Sequence, residues 1–209
     1  MLSGPNAWLS PVGGCVLQQL RQEVLDANLE ISRRELALYT WGNASGIDRD
    51  EGVVAIKPSG VEYADLTTES IVLADLDGKV LEGDLAPSTD LETHLELYRA
   101  WPEVHGVAHT HSPYGCAWAQ AAREIPCFGT THADHFHGPV PVTESLTSDD
   151  IARGYEKATG ASIIRRFAEL DPKAVPGVLC ANHGPFTWGT SALDAVYNSV
   201  VLEECAKMA

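Results

Sequence analysis

The chain has 209 residues, of which 44% are hydrophobic and 21% charged, so a single packed domain is expected without disulfide staples. A formal charge of −15 excludes a general affinity for nucleic acid, and any anionic ligand must be held locally, by N–H groups, a few cations or a metal. No apolar run approaches the ~20 residues of a membrane span, and five cysteines with no CxxC read as buried free thiols of a reducing, cytoplasmic compartment.

Residues 1–14 are rich in Gly and Pro and read as a loose leader; Met1 to Cys15 contains no Lys or Arg and so lacks the start of a secretory signal. Residues 15–209 form the single domain. Leu17, Leu20, Val24, Leu25 and Leu29 recur at helical spacing, which predicts an amphipathic helix over Val16–Leu36. Leu38–Ile47 and Val53–Lys57 read as strands. Ser70–Leu76 and Lys79–Leu81 flank Asp77-Gly78, a hairpin turn signal. A helix over Leu91–Trp101 opens on Thr89 and Glu92, a T-x-x-E capping box. Val104–His111 alternates as a strand, and Pro113–Arg123 is helical with Pro in its first turn. A long helix over Ser148–Leu170, a buried strand over Gly177–Ala181 and an amphipathic helix over Ser191–Met208 complete the pattern. Two hairpin links predict a mixed or largely antiparallel sheet covered by helices.

All eight histidines lie between His94 and His183. His109 and His111 share strand parity and so one face. His183 ends a buried strand at Asn182-His183-Gly184-Pro185, where Gly and Pro turn the imidazole toward a sheet edge. Three histidines with an open position are the pattern of a catalytic zinc site, as opposed to a Cys-rich structural one. His94 reads as covering its helix surface. His132, His135 and His137 surround Asp134 in a loop rich in proton-carrying groups. Three short segments suit an anion: Gly42-Asn43-Ala44-Ser45-Gly46, Lys57-Pro58-Ser59-Gly60 and Pro87-Ser88-Thr89-Asp90. A carboxylate beside an anion cradle repels phosphate unless a metal intervenes, which makes Asp90 a ligand or general base.

The segments T-W-G-N-A-S, I-K-P-S-G-V, P-S-T-D, H-T-H-S, G-T-T-H-A-D and H-G-P-F-T-W-G occur in this order. Together they resemble the sugar-phosphate 4-epimerases of the class II aldolase/epimerase family, from about Leu20 to Met208. The resemblance implies a three-layer α/β/α sandwich with a mainly antiparallel central sheet, and a homotetramer with active sites at subunit boundaries. It implies Zn2+ on His109, His111 and His183, with Asp90 as the nearby carboxylate. Gly42, Asn43, Ser59, Gly60, Ser88 and Thr89 would hold a phosphorylated ketopentose, with Lys57 close by. Asp134 would be an acid/base reaching a neighbour's site, which Thr130 would line. The implied reaction interconverts L-ribulose 5-phosphate and D-xylulose 5-phosphate by breaking and re-forming the C3–C4 bond, with proton carriers on two faces. The alternatives are a class II aldolase that releases the two fragments and a non-catalytic binding module of the same fold. The chain departs from the family in P-S-T-D for the commoner P-S-S-D, and in His135 and His137, where aromatic residues are common. The resemblance also implies a tail beyond Met208 carrying a Tyr as the second acid/base. The last helix closes on Lys207-Met208-Ala209 without a Gly or Pro stop, so the chain is expected to continue.

Overall fold

The computed structural model describes residues 11–209, with side chains from Val16 onward. Residues 1–10 of the expected leader lie outside the described residues. The first helix, α1 (Pro11–Arg33), begins earlier than its apolar stripe, at a proline suited to a first turn. Its Leu17, Leu20, Val24, Ala27 and Ile31 are buried at three- and four-residue spacing. The strands are β1 (Asn43–Asp48), β2 (Val53–Ile56), β3 (Val72–Asp75), β4 (Val80–Glu82), β5 (Gly106–His109), β6 (Gly177–Leu179) and β7 (Pro185–Gly189). The helices after α1 are α2 (Leu91–Ala100), α3 (Pro113–Gln120), α4 (Thr130–Ala133), α5 (Ser148–Arg166) and α6 (Ala192–Met208).

The strands form one sheet of order β4-β3-β2-β1-β5-β7-β6, antiparallel at every pairing. The period-2 pattern buries both faces. Val53, Ala55, Leu73, Ala44 and Ala108 pack with α1 and the start of α6. Val54, Ile56, Val72, Ala74 and Val107 pack with Leu91, Leu95 and Tyr98 of α2 and Ile163 of α5. The fold is therefore the expected three-layer α/β/α sandwich.

Several expected elements shift for identifiable reasons. Residues 38–42 are not strand: Tyr39 (φ 52°) and Gly42 (φ 71°) take left-handed conformations that break an extended run. β7 was not anticipated, because Gly184-Pro185 reads as a stop, whereas a proline is tolerated as a strand's first residue. The expected helix over Ser148–Leu170 ends at Arg166 and is interrupted at Gly154, where φ 131° and ψ 104° are non-helical. α6 is not amphipathic; Val196, Ser199 and Glu203 are buried on one side and Asn198, Val201 and Cys205 on another. It packs against α1, β5, β7 and α3 together, so more than one of its sides is covered. Gly106 lets its first turn touch the sheet, since a Cβ there would lie 2.1 Å from the carbonyl oxygen of Ser191.

Candidate metal centre and active-site pocket

The site lies at one end of the sheet's interior strands. The register aligns Asn43 of β1 with His109 of β5, and His109 with Phe186 of β7. β5, which ends on His109, is interior to the sheet, whereas His183 lies in the link between β6, an edge strand, and β7. His109 closes β5, whereas His111 lies past the strand end, so parity on a strand does not bring the two together. The chain turns after His109, and the Nε2 atoms of His109 and His111 come within 3.0 Å. His183 completes the cluster, with ring centroids 4.5 Å from His109 and 5.2 Å from His111. One nitrogen from each of the three rings lies within 4.8 Å of the others.

The environment holds these rings in a form suited to a cation. Burial pushes all three imidazoles below the ordinary histidine range, His109 most strongly; repulsion from neighbouring rings adds to it for His109 and His183, while Asp90 opposes it for His111 and His183. They are neutral at pH 7, with lone pairs available. His109 stacks on Phe186 at 4.1 Å between centroids, and its Nδ1 donates to the carbonyl of Pro185 at 3.0 Å. That bond leaves Nε2 as the ligating atom. The Nδ1 of His183 lies 3.0 Å from the hydroxyl of Tyr155, which fixes the second ring the same way. A histidine whose other nitrogen is so anchored is the usual metal-binding arrangement. The three-nitrogen donor set fits a borderline cation such as Zn2+.

All three anion-type segments converge on the same pocket, a cleft of about 410 Å³ lined by Gly42, Asn43, Lys57, Ser59, Gly60, Ser88, Thr89, Asp90 and the three histidines. They are laced together by backbone and side chains. Ser59 N–H donates to Ala86 O at 2.9 Å and Ser88 N–H to Lys57 O at 3.0 Å, joining the second and third segments. Asn43 Nδ2 donates to Ser88 Oγ at 3.0 Å and to Asp90 Oδ2 at 2.7 Å, joining the first and third. Asn43 Oδ1 is buried without a hydrogen-bond partner. Lys57 is only 1% exposed; its Nζ donates to Thr40 O at 3.2 Å and Pro58 O at 3.4 Å, and burial lowers its pKa. It is a desolvated cation on the pocket wall of a strongly acidic protein.

Asp90 lines this pocket but stands outside the cluster of three histidines. It is also the residue before α2, and neither it nor Thr89 caps the helix through its side chain. The expected capping box does not form, because Asp90 and not Thr89 is the N-cap residue, and the Asp90 carboxylate accepts from Asn43. His94, expected on the helix surface, is fully buried: its Nδ1 lies 2.7 Å from Ser45 Oγ, which lies 2.7 Å from the Tyr98 hydroxyl.

Thr130 and Asp134 lie elsewhere. Thr130 opens the short α4 and Asp134 follows it; both are exposed and neither lines the pocket of its own chain. Trp41, Tyr155 and Glu156 line the pocket without having been singled out from the sequence. Gly154 was the available signal for the last two, since its non-helical backbone offsets the helix immediately before them.

The model of the Class II Aldolase and Adducin N-terminal domain family matches residues 22–209. The chain belongs to this class II aldolase family. An L-ribulose-5-phosphate 4-epimerase, UlaF, of Salmonella paratyphi C (strain RKS4594) is 50% identical over 193 residues, covering 92% of this chain and 85% of the relative. The UlaF of Salmonella typhi is 49% identical over the same shares. Among solved structures, an L-fuculose 1-phosphate aldolase superposes with a TM-score of 0.77 at 25% identity, covering 91% of this chain and 84% of the aldolase. YgbL of Escherichia coli superposes at 0.73 with 29% identity, covering 92% and 89%. The class II aldolase fold expected from the motifs is thus the fold observed. No helix among the described residues is long and apolar enough to cross a membrane.

Proposed function

We propose that this chain is a zinc-dependent L-ribulose-5-phosphate 4-epimerase, interconverting L-ribulose 5-phosphate and D-xylulose 5-phosphate. The observation that carries the reading is the junction, in one pocket, of three neutral histidines with three hydroxyl- and glycine-rich segments and Asp90. Epimerases half-identical to this chain over most of its length agree with it.

When bound to His109, His111 and His183, the metal supplies a Lewis acid beside a ketone oxygen, which lowers the barrier to C3–C4 cleavage. The protein supplies the rest. Ser59, Ser88 and Thr89 offer hydroxyls, and Gly42 and Gly60 allow close backbone approach, so this wall takes the phosphate. Lys57 opposes the phosphate charge where the field of the whole molecule, at −15, would repel it. An anchored phosphate keeps the aldehyde fragment in place while it rotates, and this retention separates an epimerase from an aldolase. Asn43 holds Asp90 in the pocket through its 2.7 Å bond, leaving the other carboxylate oxygen to face the metal or a substrate hydroxyl. Asp134 moves a proton in the pocket of a neighbouring subunit, lined there by Thr130. In this reading the sites lie at the subunit boundaries of a homotetramer that works in the cytoplasm. Proton carriers on opposite faces are needed because one group cannot serve both.

The test is turnover of L-ribulose 5-phosphate with and without chelator. Formation of D-xylulose 5-phosphate that stops on metal removal and returns with zinc is expected. Release of free glycolaldehyde phosphate at the rate of substrate loss would identify an aldolase instead.

A further inference from the structure

α3 starts two residues after His111, and the way its first turn is held bears on all three histidines. A helix start leaves N–H groups without intrahelical partners, ordinarily met by the N-cap side chain. Here the N-cap is Ser112, and its side chain makes no capping bond. Ser112 Oγ is buried without a partner. The free N–H groups are met from the far end of the chain. Tyr114 N–H donates to Glu203 Oε1 at 3.0 Å and Gly115 N–H to Glu203 Oε2 at 2.8 Å. Glu203 sits on α6, is 8% exposed, and among the described residues has no Lys or Arg within 4.0 Å. Its charge is balanced by those two amides and the positive end of α3.

A local cap would fix the helix only to its own loop. A cap from α6 fixes it to a largely buried helix that packs on the sheet. The first turn of α3 then touches each arm of the histidine cluster. His111-Ser112-Pro113 runs directly into it. A Cβ on Gly115 would lie 3.0 Å from the ring of Pro185, whose carbonyl orients His109. A Cβ on Gly184, next to His183, would lie 3.2 Å from Cys116 Sγ of the same turn.

We infer that Glu203 is a positioning residue for the metal centre, setting the spacing of His109, His111 and His183 through the first turn of α3. The inference rests on the metal reading above. The matched control is Glu23, which on α1 makes the same kind of bond, accepting from Ala192 N–H at 2.8 Å at the opposite end of α6. The experiment compares Glu203→Gln, Glu203→Asp and Glu23→Gln with the wild type. It measures zinc affinity by chelator competition, thermal midpoint of the metal-free protein, and hydrogen exchange at Tyr114 and Gly115. The expected result is faster exchange at those two amides and zinc binding weakened by about 10-fold or more in Glu203→Gln, as for other outer partners of metal ligands. Glu203→Asp recovers part of the loss, and Glu23→Gln keeps wild-type affinity even if its thermal midpoint falls equally. Equal zinc affinity in Glu203→Gln and Glu23→Gln overturns the positioning role and leaves the metal reading standing. A wild type that binds no zinc overturns both.

Discussion

His94 shows how a single buried side chain couples the stability of the fold to pH. Burial pushes its imidazole down to about 3 from the ordinary 6.5. In the folded protein it stays neutral through the whole interval in which the unfolded chain would take up a proton. Its contribution is therefore fully present above pH 6.5 and is lost progressively as pH falls toward 3, by about 1.4 kcal/mol per pH unit. Replacing it with Gln removes this proton, so the pH dependence of stability between 6 and 4 becomes shallower by that slope; denaturant unfolding at several pH values checks it. The residue scale is also where sequence reasoning reached furthest. The three histidines, the three hydroxyl-bearing segments and Lys57 were legible because their chemistry is unusual for their neighbourhood. His94 and the Thr89–Glu92 capping box were misjudged. A local rule, surface helix position or capping box, competes there with hydrogen bonds to Ser45 and Asn43, which are distant in sequence.

At the level of elements, α5 lines the pocket directly and α1 braces the strand beside it. Asn28 of α1 accepts from Ala44 N–H at 2.8 Å and donates to Ala44 O at 3.0 Å, bridging the helix to the strand position beside Asn43. It is fully buried. Asn28→Leu leaves both backbone groups of Ala44 unsatisfied toward α1, and a destabilisation of about 1–3 kcal/mol per unsatisfied group is expected, measured as a shift in the urea midpoint at constant m-value. The break at Gly154 in α5 carries Tyr155 to His183. Tyr155→Phe keeps the ring and removes the hydroxyl, so zinc affinity should fall by about 10-fold while the thermal midpoint of the metal-free protein changes little. Chelator competition and melting of the apo form separate the two effects. Element boundaries were the least legible feature. Gly154 and Gly160 look alike in sequence, yet only Gly154 leaves helical geometry. Gly160 instead lets α5 approach α2, where a Cβ would lie 2.7 Å from that of Glu96.

For the whole molecule, the proposed role of Asp134 in a pocket it does not reach in its own chain needs a neighbouring subunit. Exposed aromatic residues stand in its neighbourhood: Phe128 is 77% exposed and precedes α4, and Tyr197, 54% exposed, bonds His135 at 2.9 Å. In the homotetramer proposed above these would be covered by another subunit. The sharpest check is complementation. His109→Asn and Asp134→Asn proteins should each be nearly inactive, yet mixed after dissociation and reassociation they should regain part of the activity, because some pockets then combine an intact histidine cluster with an intact neighbour's Asp134. A mixture no more active than its components, or a fully active monomer by light scattering, would remove the shared site.

By itself the sequence determined the fold class, the family and the residue types of the pocket. Alternating apolar residues, hairpin turns and ordered motifs are local signals, and each survives in the fold because burial on both sheet faces rewards the same pattern. Only the tertiary structure decided the distances. His109 and His111 meet because the chain turns after β5, not because they share a strand face. The anion segments form one wall because Asn43 and the backbone of Lys57 and Ser88 tie them together across the sheet end. Glu203 caps α3 from 88 residues away in sequence, a pairing with no local signature. Hydrogen bonds of that reach depend on how the layers stack, and stacking is a property of the packed core as a whole.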